Sequence, residues 1–359
     1  MNTRPPLHVL KILVHEWVTG GGLAGEDLPE SWAAEGNAMR RAISADFAAI
    51  PGVQVQMTLD ERLPDELGPW TTHRLGVHHS PDAWAAIGAQ ADWSVLIAPE
   101  TGGILANCSR TLSRMGGRSL GSTPEAIELT SHKLNLGSYL RERGIKTPPC
   151  HVINPAHGLP GQPDTLYPAV LKPIDGAGSV DTFWVDSPHA LPKEASGLGE
   201  ALLQPFIPGI PSSASFLIGP NGPQLLAIGR QRMAIHEAKF RYEGGILPDF
   251  EAGLDASLTQ ALESIPGLRG FVGVDFIRSN GEPHDTVTIL EINPRPTTSY
   301  VGLAQIMPPG TLANAWMSLF TGQACLEVPP LANDVRSLGQ VTFNPDGTIE
   351  RWNRRGDLQ

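Results

Sequence analysis

The chain is poor in cysteine, in basic residues and in long apolar runs. Its three cysteines, Cys108, Cys150 and Cys325, lie far apart and form no C-x-x-C pair. That argues against a disulfide framework or a zinc site and fits a reducing cytoplasm. Lys and Arg number 26 against 37 Asp and Glu, a net charge of −11. An acidic chain suits neither nucleic acid nor an anionic membrane surface, so an anion site has to be built locally. No run approaches the ~18 apolar residues of a membrane span. The first, "LHVLKILV" (7–14), is broken by His8 and Lys11, and no cleavage-type segment follows it. The glycine-rich stretch 171–180 carries neither a Walker GK[ST] nor a GxGxxG fingerprint, and the chain shows no repeat period. The adjacent His78 and His79 point two ways on any regular element and read as loop surface.

What is present suits a globular enzyme. The 359 residues are 41% hydrophobic and 18% charged, enough for cores in two or three lobes. Strand-like "LKILVHEW" (10–17) runs into "TGGGL" (19–23). "ESWAAEGNAMRRAISADFAAI" (30–50) has helical apolar spacing, and "VQVQMTL" (53–59) alternates. "PDAWAAIGAQA" (81–91) and "DWSVLIAPE" (92–100) repeat helix then strand. This order predicts a parallel α/β unit over residues 1–120. Ligands of such units sit at the carboxyl ends of strands. Glu16 and Glu100 fall there, beside glycines, and are candidate cleft residues.

Residues 121–207 read as two short helices followed by a small lobe. Ser122 and Glu125 make a capping-box pattern with Pro124 in the first turn, and Gly144 with Pro148-Pro149 stops the second helix. "YPAVLKPIDGAGSVDTFWV" (167–185) is strand, glycine-rich turn, strand; "ALLQPFIPG" (201–209) is a strand entering a link. Residues 208–330 carry strands at 213–219, 224–233, 270–279 and 286–293 and helices at 255–266 and 309–323. The tail, 331–359, holds a hairpin around a Pro-Asp-Gly turn. Between 229 and 248, Gly244-Gly245 and Pro248 suggest a mobile loop, and Arg230, Arg232, Lys239 and Arg241 are candidate contacts for an acidic substrate.

The chemistry concentrates in "TILEINPRPTTS" (288–299), where Glu291, Asn293 and Arg295 occupy alternate positions. A simple hairpin centred on residue 283 sets Asp275 opposite Glu291. Such neighbours have Cβ atoms about 5 Å apart, and Asn293 shares their face. Two carboxylates and an amide suit Mg²⁺ or Mn²⁺, which would remove the like-charge conflict. Phosphates need cations and backbone donors. "LKPIDGAGSV" (171–180) supplies Lys172 and then Gly176, Gly178 and Ser179; Lys133 is a second cation. Phe206 and Ile207 offer apolar walls beside a link whose backbone can read an adenine edge.

In order, Lys133, Lys172, "DGAGS" (175–179), "QPFI" (204–207), Asp275 and "EINPR" (291–295) resemble the ATP-grasp superfamily. The resemblance covers roughly residues 120–325, and the preceding unit is similar to that superfamily's N-terminal domain. It implies a parallel α/β domain followed by a two-lobed α+β ATP-grasp fold. It implies that Lys133 and Lys172 hold the α- and β-phosphates of ATP under the glycine flap. The main chain at Gln204 and Ile207 would bond adenine. Asp275, Glu291 and Asn293 would hold two Mg²⁺ or Mn²⁺ ions, with Glu291 bridging, and Arg295 would steady a carboxylate and its acyl phosphate. Pro211 stands where many members carry a ribose-binding Glu, with Ser212 or Ser213 as substitutes.

"ILVHEWVTGGGL" (12–23), "VLIAPETGGIL" (95–105) and "GIPSSASFL" (209–217) further resemble the tyramine–glutamate ligase family. This implies a cytoplasmic ligase joining a glutamate-like carboxylate to a tyramine-like amine. A homodimer is a further expectation, since acidic cytosolic ligases of this size are often dimers. Three alternatives stay open: a D-alanine–D-alanine-type ligase, a biotin-dependent carboxylase and a nucleotide-binding regulator. The first has an Arg where Gly273 stands, and the second follows "NPR" with Gln-Val-Glu-His, not Pro296-Thr297-Thr298-Ser299.

Overall fold

The computed structural model describes residues 9–161, 166–176, 181–249, 256–279, 286–322 and 338–354. Gly178, Ser179, Cys325 and the loop 280–285 lie outside the described residues.

The first sheet contains β1 (Leu10–Glu16), β2 (Val53–Asp60), β3 (Trp70–Leu75) and β4 (Trp93–Ile97), in the order β3-β2-β1-β4 and parallel throughout. Ile12, Leu13 and Val14 are fully buried, as expected for a central strand covered on both faces. Helix α1 (Glu30–Ala48) packs on one face, and α2 (Ala83–Gly88) and α3 (Ile104–Arg114) on the other. From β1 the chain winds to β2 on one side and later to β4 on the other. A crevice opens where the winding reverses, at the carboxyl ends of β1 and β4.

Helices α4 (Pro124–Ser131) and α5 (Lys133–Arg141) follow. The expected capping box does not form. Thr123, not Ser122, caps α4, its Oγ1 accepting from Ala126 N at 3.4 Å. Ser122 Oγ instead donates to Arg269 O at 3.0 Å and accepts from Arg269 N at 3.1 Å, a tertiary tie that outcompetes the local cap.

The small lobe is the antiparallel set β5 (His151–Ile153), β6 (Ala169–Pro173), β7 (Phe183–Val185) and β8 (Ala201–Pro205). Its own core includes Leu166, Leu171, Phe183, Val185 and Leu203. The large lobe begins with β9 (Ile210–Gly219), β10 (Gly222–His236) and β11 (Lys239–Leu247). It continues through α6 (Ala256–Glu263), β12 (Gly270–Arg278), β13 (Val287–Asn293), α7 (Ser299–Ile306) and α8 (Thr311–Thr321). Its strands lie antiparallel as β13-β12-β9-β10-β11. The hairpin β14 (Gly339–Phe343) and β15 (Ile349–Arg354) adds to β11.

Strand β11 occupies the stretch expected to be a mobile loop. A Cβ at Gly244 would stand 1.9 Å from Phe343 O, so glycine here serves close strand approach, not mobility. The nearby cations are also engaged within the fold. Arg232 Nη1 lies 2.6 Å from Glu350 Oε2, Lys239 Nζ lies 3.1 Å from Asp181 Oδ1, and Arg230 pairs with Asp249; Arg241 is exposed.

One core joins the first sheet to the large lobe: Ile12, Val14, Ile43 and Phe47 cluster with Leu217, Phe271, Tyr300, Trp316 and Val341. Asp46 of α1 strengthens this joint. It accepts Tyr300 Oη at 2.8 Å and the α8 amides Gly310 N at 2.6 Å and Ala313 N at 2.8 Å. Gly310, the N-cap residue, has no side chain to do this itself. No described helix is long and apolar enough to cross a membrane.

Candidate active site

Asp275 on β12 pairs directly with Glu291 on β13, and Gly273 with Asn293, as the hairpin argument required. A bulge follows at once, because Phe276 pairs with Ile289. Asp275 is held on both oxygens: Gln231 Nε2 donates to Oδ1 at 2.9 Å and Asn293 Nδ2 to Oδ2 at 3.2 Å. Burial and then the charge of Glu291 push its carboxyl from 3.8 up to about 7. Among the described residues no three His, Cys, Asp or Glu side chains form a metal-ligand cluster; the donor set is two carboxylates and one amide. These hard oxygens fit Mg²⁺ or Mn²⁺. Like charges share one strand pair, and the Asn293 amide can turn its oxygen inward.

Lys133 is the first residue of α5, capped by His132. A cation opposes the dipole there, so its place is set by partners across the cleft. Its Nζ lies 3.4 Å from Glu291 Oε1 and donates to Gly176 O at 2.5 Å. Lys172 shares a β6 face with Val170, while Ala169 and Leu171 turn into the small-lobe core. Burial, then Lys133, hold its ammonium below the usual value, while Glu291 and Asp275 oppose the shift. At the start of the glycine turn, Asp175 Oδ2 accepts Gly102 N at 3.0 Å, bringing the turn to the end of β4.

Arg295 leaves the hairpin and reaches that same crevice. Its Nε and Nη2 lie 2.8 Å from Glu100 Oε1 and Oε2, a buried two-pronged pair. Glu100 is therefore a cleft residue. Glu16 is spent on its own loop, accepting Val18 N at 3.1 Å and Thr19 N and Oγ1 at 2.6 Å each. The site thus draws on all three sections of the chain.

Residues 130–299 match the family model of the ATP-grasp domain. The chain carries an ATP-grasp domain. Residues 53–127 match the pre ATP-grasp 3 domain, which agrees with the parallel sheet ahead of it. The tyramine–L-glutamate ligases of Methanocaldococcus fervens and Methanocaldococcus jannaschii are 28% and 27% identical over 215 residues. That stretch is 59% of this chain and 61% and 58% of theirs, less than two thirds of the relatives' length. An ATP-grasp superfamily protein from Archaeoglobus fulgidus superposes with a TM-score of 0.64 at 22% identity, covering 86% of this chain and 88% of that one. The L-amino acid ligase from Bacillus licheniformis gives 0.61 at 14%, covering 93% and 79%. At these identities the structural likeness concerns the fold.

In the ATP-grasp frame, the link expected to read adenine follows β8. Gln204 is buried opposite Val170, and Phe206 N is bonded to Pro168 O at 2.8 Å, so that amide is occupied. The Phe206 ring meets Trp184 edge-on at 4.8 Å. Ile207 is half-buried. Of the ribose substitutes, Ser212 is buried and bonded to Ile210 O, whereas Ser213 pairs with Asp275 and shares its face. Gln231, Glu35 and Tyr242 were not expected at the site. Gln231 joins it through strand pairing, Ser213 facing Gly229 two residues before it. Only the assembled sheet reveals that.

Proposed function

We propose that the chain is an ATP-dependent carboxylate–amine ligase that works through an acyl phosphate. A glutamate-like carboxylate and a tyramine-like amine are its substrates. The observation that carries the reading is one cleft with cations on one side and oxygen ligands on the other. Lys133 and Lys172 face Asp275, Glu291 and Asn293, and Arg295 stands at the end nearest the first sheet.

In this reading a substrate carboxylate oxygen attacks the γ-phosphorus of ATP and ADP leaves. Lys133 and Lys172 bind the phosphates, and the turn at Gly176, Gly178 and Ser179 covers them and excludes water. Gln204, Phe206 and Ile207 bind the adenine. Asp275, Glu291 and Asn293 would hold two Mg²⁺ or Mn²⁺ ions, which when bound offset phosphoryl charge. Arg295, oriented by Glu100, stabilises the oxyanion formed when the amine attacks the acyl carbon. Phosphate then leaves and the amide remains. The relatives' names suggest glutamate and tyramine.

The test is ADP release with ATP, Mg²⁺ and glutamate, with and without a panel of primary amines. Amine-dependent ADP and a matching amide are expected. Tight ATP binding with no turnover for any pair would instead favour a nucleotide-binding regulator, the reading that Pro211 keeps alive. A cytoplasmic homodimer goes with the ligase reading, and sedimentation of the purified protein tests the dimer.

A further inference from the structure

Three carboxylates, Glu16, Glu35 and Glu100, gather at the crevice within reach of one another, and they are not equivalent. Glu16 is used by its own loop and Glu100 by Arg295. The third is Glu35, in the second turn of α1. Its neighbour Gly36 presses so closely on β1 that a Cβ there would stand 2.5 Å from Glu16 Oε2. Close packing therefore brings Glu35 to the carboxyl end of β1. Glu35 is half-buried, and among the described residues it has neither a hydrogen-bond nor an ion-pair partner.

The groups that face it are few. Arg295 feels the charges of Glu100, then Glu35, then Glu291, so it lies within reach of both Glu35 and the phosphoryl-transfer edge. Burial raises the Glu35 carboxyl above its usual range; Arg295 pulls it down, and Glu16 and Glu100 push it up. On another flank is the Tyr242 hydroxyl, 3.3 Å from Thr298 Oγ1. Burial pushes it up from its usual value, and it stays neutral near physiological pH. Arg295 is committed to Glu100, and Arg40, which acts on Glu16, is committed to Glu66, so the crevice is short of positive charge. A lone carboxylate beside a hydroxyl is too small a set for a divalent ion, but it suits an ammonium group.

Resting on the ligase reading above, we infer that Glu35 receives the amine substrate as its ammonium ion and takes the proton that blocks attack. The step balances. The R–NH₃⁺ group passes one proton to the Glu35 carboxylate, leaving R–NH₂ and a neutral carboxyl. The nitrogen lone pair then forms the C–N bond at the acyl phosphate carbon, the C–O bond to phosphate breaks, and the amine's second proton leaves with the phosphate as HPO₄²⁻. Glu35 returns its proton to water. An elevated carboxyl is a better proton acceptor than an ordinary one.

Hydroxylamine separates this role from the rest of the reaction, because it is largely uncharged at neutral pH and needs no base. Wild type, Glu35→Gln and Glu35→Asp are assayed with ATP, Mg²⁺ and glutamate, using either hydroxylamine or primary amines headed by tyramine. In Glu35→Gln the amide rate at neutral pH is expected to fall roughly 100-fold, while hydroxamate formation changes by less than about threefold. The deficit shrinks by roughly tenfold per pH unit as free amine accumulates, and Glu35→Asp recovers part of the neutral rate. Equal loss of both products, an undiminished amide rate, or a deficit independent of pH overturns the inference. Hydroxamate production by wild type shows that acyl activation stands even when Glu35 fails. If wild type yields no hydroxamate or amide from glutamate, the ligase reading with this carboxylate falls, and the role of Glu35 falls with it.

Discussion

The small lobe buries its own compact core, and among the described residues its strands pair with the large lobe's at one register pair, Lys239 with Phe183. Two backbone bonds support that seam, Trp184 N to Ala238 O and Phe240 N to Thr182 O. The first sheet and the large lobe are joined very differently. They share one core, and Asp46 reaches from α1 to cap α8. On the proposed reading this difference would suit function. Asp275, Glu291, Asn293 and Arg295 stand on the fused part, whose shared core holds them in place. Lys172 and the start of the glycine turn stand on a lobe held by a thin seam, which can open at low cost.

The largest effect should come from the lobe's cation. Lys172→Ala is expected to lower turnover by at least ~10³-fold without loss of thermal stability, since burial and Lys133 already disfavour that ammonium. ADP release and a melting curve check both halves; activity near wild type would sink the site assignment. Next comes the joint of the fused part. Asp46→Ala should cost about 2–4 kcal/mol in urea unfolding, because two amides and a hydroxyl lose a buried acceptor. A loss confined to a separate small-lobe transition would break the comparison.

The third effect has the opposite sign. The Asp275 carboxyl titrates at about 7 in the fold against 3.8 as its ordinary value. Its contribution to stability is thus complete below 3.8 and is lost as pH climbs through 7. In metal-free protein, Asp275→Asn should stabilise by roughly 1–2 kcal/mol above neutral pH and little below pH ~4, while removing turnover. Denaturation across pH with a chelator present measures it. The smallest effect lies at the seam. Lys239→Ala breaks a half-exposed pair with Asp181 and should cost about 0.2–0.5 kcal/mol. Hydrogen exchange should report it in small-lobe amides alone; equal changes in β12 would show that the seam is not a boundary.

Local pattern carried much of the fold. Alternation exposed β2 and the β12–β13 hairpin, and Asp275 opposite Glu291 followed from counting to the middle of a loop. The missed elements had no period to read. Helix α7 buries Ser299 through Leu303 on every side, so no apolar stripe marks it. Strand β11 mixes glycines with outward charges because it accommodates β14. Ser122 carried a sound capping signal but was recruited by Arg269, 147 residues away.

By itself the sequence determined the order of the elements and the two-residue period that puts Glu291 and Asn293 on one face. It also set the types of side chain available for phosphate and hard-cation chemistry. The tertiary structure decided how those charges are spent. Arg295 finds Glu100 across 195 residues, Glu16 folds back on its own turn, and Glu35 has no partner among the described residues. The physical reason is that strand alternation is local geometry, whereas charge pairing depends on distance and burial between segments that only the folded chain brings together.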